Sequence, residues 1–128
     1  MANLRQTIIV RTDLGFPIGL LTAQVAHLHF QRFREMIREG STFTPDDLEW
    51  MKDPYTYVHE AKNYETLIHY EKIACQNNIP INAWRDTVYI KFSETQMYAF
   101  PDVWVGLVLG PCDSDKIKAV IGDLPLLK

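Results

Sequence analysis

The sequence predicts an α/β domain with helices on both faces of a central sheet, and three observations carry that prediction. Segments with strand length and composition alternate with segments of helical periodicity along the whole chain. Val103 to Leu109 is almost wholly apolar, as a strand covered on both faces requires. Gly, Pro, Asn and Asp mark the junctions between the segments. This pattern favours a layered sheet with right-handed crossovers over a bundle or a sandwich.

The elements follow in order. Thr7 to Arg11 is a β-branched run of strand length that ends in a turn-forming stretch, Asp13 to Gly19. From about Ile18 to Glu39 the apolar residues recur at helical intervals, with Ala26, Phe30, Phe33 and Ile37 as the expected buried stripe, and Gly40 stops the helix. Thr44-Pro45-Asp46-Asp47 supplies an N-cap, a first-turn proline and two acids, so a short helix runs toward Met51. Tyr55 to Ala61 alternates like a strand, and Asn63 caps a helix carrying Tyr64, Leu67, Ile68 and Cys75 on one side and ending at Asn77-Asn78. Ile81 to Trp84, Val88 to Phe92 and Val103 to Leu109 read as three further strands, the last closed by Gly110-Pro111. Asp113 or Ser114 caps a final helix through Ile121, which Gly122 ends.

The chain has 128 residues, the length of one domain, and an ordinary globular composition. Cys75 and Cys112 lack the spacing of a zinc site or a disulfide framework, so reduced thiols and no metal are expected, and no cofactor is indicated. No signal-like segment or bilayer-length apolar run occurs, which points to the cytoplasm and away from membranes. A net charge of −3 argues against strong unspecific attraction to a phosphate backbone. Arg5, Arg11, Arg32, Arg34 and Arg38 nevertheless concentrate positive charge in the N-terminal third, as a solvated face or as a surface for an acidic ligand.

Three separated stretches carry a resemblance. Ile8-Ile9-Val10-Arg11-Thr12-Asp13-Leu14, followed by Ala23-Gln24-Val25-Ala26-His27, is similar to the Val-Val-Arg-x-Asp-Leu and Ala-Gln-x-Ala-His of the type II peptidyl-tRNA hydrolases. Ile79-Pro80 through Arg85-Asp86 is similar to that family's Leu-Pro-x-x-x-Ile-Arg-Asp. Leu107 to Pro111, with Ile117, Val120, Gly122 and the Leu124 to Leu127 ending, resembles its Gly-Pro, final helix and Leu-rich terminus. The resemblance covers nearly the whole chain in the right order. It implies a single three-layer α/β/α domain over residues 1–128, built around a four-stranded mixed sheet that an inserted strand could extend. It also implies a homodimer that cleaves the ester between a peptide and tRNA. The strands at Ile8, before Asp86 and before Gly110 must then lie side by side.

Ester hydrolysis needs an oriented water, a proton acceptor, oxyanion donors and cations for the phosphates. The resemblance places Asp86 as the functional carboxylate, just past the strand Ile81 to Arg85, although an Asp after a strand is often only a turn residue. Thr95-Gln96 resembles the family's Thr-Gln, with Thr95 catalytic and Gln96 on the substrate. Gln24 and His27, one helical turn apart, and Asp13 complete the expected substrate contacts; Gln24 and His27 could equally fix helix to sheet by hydrogen bonds. Cys112, near a helix N-terminus, is a remoter nucleophile candidate because nothing supplies its base.

The sequence also departs from the family pattern. Where the family carries a loop such as Leu-Lys-Met-Gly-Lys-Gly-Lys, one lysine of which is considered catalytic, this chain reads Leu14-Gly15-Phe16-Pro17-Ile18-Gly19-Leu20. A second hydroxyl expected on the long strand is missing from Val103-Trp104-Val105, and eight residues separate Asp86 from Thr95, with Glu94 in place of an Arg. Two functions follow as alternatives: a peptidyl-tRNA hydrolase of weakened activity, or a catalytically silent relative that keeps the fold as a binding or assembly module.

Overall fold

A computed structural model describes residues 3–128. The element order is β1 (Leu4–Arg11), α1 (Ile18–Glu39), α2 (Pro45–Lys52), β2 (Thr56–Ala61), α3 (Tyr64–Gln76), β3 (Ile81–Lys91), β4 (Met97–Asp113) and α4 (Ser114–Ile121). The strands form one four-stranded mixed sheet in the order β2-β1-β4-β3. β1 and β2 are parallel, and β4 runs antiparallel to both β1 and β3. The segments around Ile8, before Asp86 and before Gly110 therefore do lie side by side, as expected.

Because β1 is central, its alternate residues feed different cores. Ile8 and Val10 pack with Leu28, Val105 and Val108 beneath α1, and Leu4 joins Phe33, Met36 and Trp50 where α1 meets α2. Ile9, Leu107 and Leu109 point the other way, onto Leu67 and Ala74 of α3 and Ile117 and Ile121 of α4. A helical layer on each face and the sheet between them make the three-layer α/β/α architecture. The edge of β2 is closed by the C-terminal segment, through Glu60 N–H to Pro125 O, Leu127 N–H to Val58 O and a bridge between His59 and Leu126.

The local signals hold where they are self-contained. Thr44 and Asp47 form a reciprocal capping box on α2, Asn63 accepts from Thr66 N–H at the start of α3, and Gly40 ends α1 at φ 71°. Three expectations need correction. The stripe on α1 is not Ala26, Phe30, Phe33 and Ile37: Phe33 is buried, but Phe30 and Ile37 are 54% and 63% exposed. The face that meets the sheet carries Gln24, Leu28 and Gln31, whose polar ends find partners across the fold. On α3, Leu67 and Ala74 are buried while Tyr64 and Cys75 are exposed.

The third correction concerns the strands after Ile81. β3 does not stop at Trp84 but continues through Asp86 to Lys91, with register shifts at Trp84/Arg85 and Asp86/Val88. Val88 to Lys91 is thus the outer half of β3, paired with Met97 to Phe100 of a β4 that also runs past Gly110-Pro111 to Asp113. The insertion forms a long β3–β4 hairpin rather than a separate strand, and Asp86 sits inside a strand rather than beyond its end. The bulge beside Asp86 re-aims the local side chains, a use to which such irregularities are often put near functional sites.

Candidate active site

The site grows from a close approach of α1 to the sheet. A Cβ on Gly106 would lie 2.5 Å from Ile9 O and 2.6 Å from Leu28 Cδ1, so only glycine leaves room for Leu28 to seat against β4. Gln24 is one turn before Leu28 on the same face, and it is carried down with it to 2% exposure.

Two neighbours determine how the Gln24 amide points. The Trp84 indole N–H, which can only donate, reaches Gln24 Oε1 at 2.7 Å. The amide nitrogen therefore faces the other way and donates to Asp86 Oδ2 at 3.0 Å. Asp86 Oδ1 accepts the Thr87 backbone N–H at 2.8 Å. Both carboxylate oxygens are thus held by a neutral donor while each keeps acceptor capacity.

This pair forms one wall of a cleft of about 410 Å³, also lined by Leu14, Gly15, Phe16, Pro17, Leu20, Thr87, Val88 and Tyr89. Among the described residues no lysine or arginine lines it. The 14–20 loop, identified by its missing lysines, is the opposite wall, and it presents Phe16, Pro17 and Leu20 to the cleft. Beside it, His27 stacks on Trp84 with centroids 4.6 Å apart, and the Arg34 guanidinium lies 5.4 Å from the same indole. Arg85 sits 4.8 Å over Trp104. Arg34 and Arg85 are in no ion pair among the described residues, unlike Arg32 with Asp47 and Arg38 with Glu35.

The structure brings Gln24 and Asp86 into contact and puts His27 on the adjoining surface. It does not bring Thr95, Gln96 or Asp13 to them. Thr95 and Gln96 lie in the exposed hairpin turn, where Gln96 O accepts from Phe92 and Ser93 N–H. From Asp86 to Lys91 alone the strand extends roughly 16 Å at the usual rise per residue. Asp13 is gripped by Arg11 through Nε to Oδ1 at 2.9 Å and Nη2 to Oδ2 at 2.7 Å, and those hydrogen bonds hold its pKa below the usual carboxylate value. Arg11 also donates to Trp104 O, so this pair ties the end of β1 to β4.

Thr87, directly after Asp86, also lines the cleft, a position to which the Thr-Gln motif further along the hairpin does not point. The bulge between Asp86 and Val88, which lets neighbouring residues share the cleft, has no sequence signature of its own.

Cys112 is buried within the α3/α4 core and its thiol is pushed up to about 11, chiefly by burial. It stays protonated at neutral pH and is no nucleophile. Iodoacetamide is expected to modify the exposed Cys75 of the native protein and spare Cys112, with both reacting in denaturant; mass spectrometry of the peptides reads this directly. No group of three or more His, Cys, Asp or Glu side chains able to hold a metal occurs among the described residues. No helix among them is long and apolar enough to cross a membrane.

The chain matches the family Peptidyl-tRNA hydrolase PTH2 over residues 4–127. It is 30% identical over 125 residues to a peptidyl-tRNA hydrolase of Methanopyrus kandleri, covering 97% of this chain and 98% of that protein. It is 28% identical over 124 residues to a peptidyl-tRNA hydrolase of Staphylothermus marinus, covering 96% and 94% respectively. With the three-layer fold and a match from β1 to the C-terminal segment, the chain belongs to the peptidyl-tRNA hydrolase PTH2 family.

Proposed function

We propose that this protein hydrolyses the ester between a peptide and its tRNA, with the reacting carbonyl seated in the cleft between α1, the 14–20 loop and β3. The observation that carries the reading is the Gln24–Asp86 contact on the cleft wall. In this mechanism Asp86 takes a proton from a water as its oxygen bonds to the ester carbonyl carbon. The second hydrogen on Gln24 Nε2 and the Thr87 hydroxyl are the neutral donors for the tetrahedral oxyanion, and Thr87 holds the role the sequence gave to Thr95. As the intermediate collapses, the bond to the ribose oxygen breaks and that oxygen recovers the proton from Asp86. The stacked His27–Trp84 pair with Arg34 offers nucleotides a sequence-tolerant platform beside the cleft.

The reading includes action in the cytoplasm as a homodimer, for which the exposed α1 stripe Ala26, Phe30 and Ile37 supplies an apolar contact face. Neutral donors stabilise a developing anion less than an ammonium does. Turnover therefore falls below that of a lysine-bearing relative.

The test is release of peptide from purified peptidyl-tRNA. Wild type is expected to turn over. Leu20→Lys, at an exposed cleft-lining position, is expected to raise tRNA affinity up to about tenfold and steepen its salt dependence by about one ion. No turnover at any peptidyl-tRNA concentration would reject the hydrolase and leave the silent module, the reading favoured by the lysine-free cleft. Tight tRNA binding with a steep salt slope would in turn count against that module.

A further inference from the structure

At the opposite end of β1, roughly 20 Å from the cleft by strand rise, lies a second concavity that peptide hydrolysis does not use. It has a volume of about 210 Å³ and is lined by Asn3, Arg5, Tyr55, Tyr57, Ser114 and Lys118. Its lining contains two cations, several hydrogen-bond donors and no carboxylate.

Arg5 is the unusual member. It is only 6% exposed, yet it belongs to no ion pair among the described residues. Its Nε donates to Thr7 Oγ1 at 3.1 Å, and its guanidinium carbon lies 4.4 Å over the Tyr57 ring. The four Nη hydrogens have no protein acceptor in the described hydrogen bonding. Burial accordingly pushes its pKa down, and the neighbouring Tyr57 and Cys112 only partly oppose this. Arg5 is thus a largely buried residue whose guanidinium opens onto the cavity without a counter-charge, an arrangement suited to an anionic ligand.

The surroundings fit that missing partner. Ser114 and Lys118 are one turn apart on the face of α4 that borders the same cavity. Lys118 is exposed and pairs with no acid among the described residues, so its flexible stem can swing its ammonium across the opening. A planar guanidinium fork, a flexible ammonium and a hydroxyl lining one cavity match tetrahedral phosphate oxygens. We propose that Arg5, Ser114 and Lys118 form a binding site for a phosphate dianion, either free orthophosphate or the terminal phosphate of a mononucleotide. The exposed Tyr55 and Tyr57 at the rim would meet the base in the second case.

The experiment is an amide NMR titration of the full chain with orthophosphate at constant ionic strength, repeated with adenosine 5′-monophosphate and with chloride as control. Saturable shifts are expected at Arg5, Tyr57, Ser114 and Lys118, with Gln24 and Asp86 unmoved. Stronger binding of the mononucleotide would name a nucleotide as the source, and equal binding would name free phosphate. Lys118→Glu, an exposed change that spares the core, is expected to weaken binding about tenfold or more by replacing a cation with an anion. Arg5→Lys, which keeps charge but loses the fork, is expected to weaken it as well. Non-saturating shifts, equal shifts with chloride, or unchanged affinity in Lys118→Glu would overturn the proposal and leave Arg5 as a cation resting on Tyr57.

Discussion

Replacing Asp86 with Asn is expected to slow peptide release by about a hundred- to ten-thousandfold, the usual contribution of a positioned acid or base. The substitution is nearly isosteric, and its amide oxygen can still accept the bond from Gln24 Nε2, although the amide nitrogen then faces the Thr87 N–H and that bond is lost. What disappears is the capacity to take a proton from water. Affinity for tRNA should not fall, because a negative charge beside phosphate is removed rather than added. The loss therefore appears in kcat with KM unchanged or lower, measured in steady-state release from purified peptidyl-tRNA. A fall confined to KM would instead make Asp86 a binding group.

Gly106→Ala is expected to destabilise the fold by about 2–3 kcal/mol, because an added methyl in a packed core forces neighbours off their minima. At this position the methyl would meet both Ile9 O and Leu28 Cδ1. Leu28 can shift, but the Ile9 carbonyl belongs to the β1–β4 ladder and cannot move without losing pairing next to Val10↔Gly106. Urea denaturation should show a lower midpoint at constant slope. The surviving folded fraction should also turn over more slowly, since lifting Leu28 lifts Gln24 away from Asp86. An unchanged midpoint would mean that α1 does not seat as closely as described.

These two predictions mark what the sequence could and could not reveal. Caps and stops at Thr44, Asn63, Gly40 and Gly122 are local, and they located the helices. The buried face of α1 was hidden because two of its positions are Gln24 and Gln31. Both look solvent-seeking until Trp84, Asp86 and the Ala83 carbonyl, distant in sequence, satisfy them. The exposed Phe30 and Ile37 then took their place in the apolar count.

The strands after Ile81 failed for a related reason. Bulges at Trp84/Arg85 and Asp86/Val88 interrupt the period of alternation, so one long strand reads as two. The motifs name Asp86 and Gln24 separately, and the register of β3 against β4, with Trp84 opposite Gly106, explains why they touch. The resemblance thus names Gln24 and Asp86, and the packing brings them into contact.

The most direct test of the account is a double-mutant cycle in peptidyl-tRNA turnover with Gln24→Ala, Asp86→Asn and the two combined. If Gln24 orients Asp86 and both act on one reacting carbonyl, the double variant is no slower than the slower single variant. Losses that simply multiply, or an Asp86→Asn protein that hydrolyses at the wild-type rate, would contradict it.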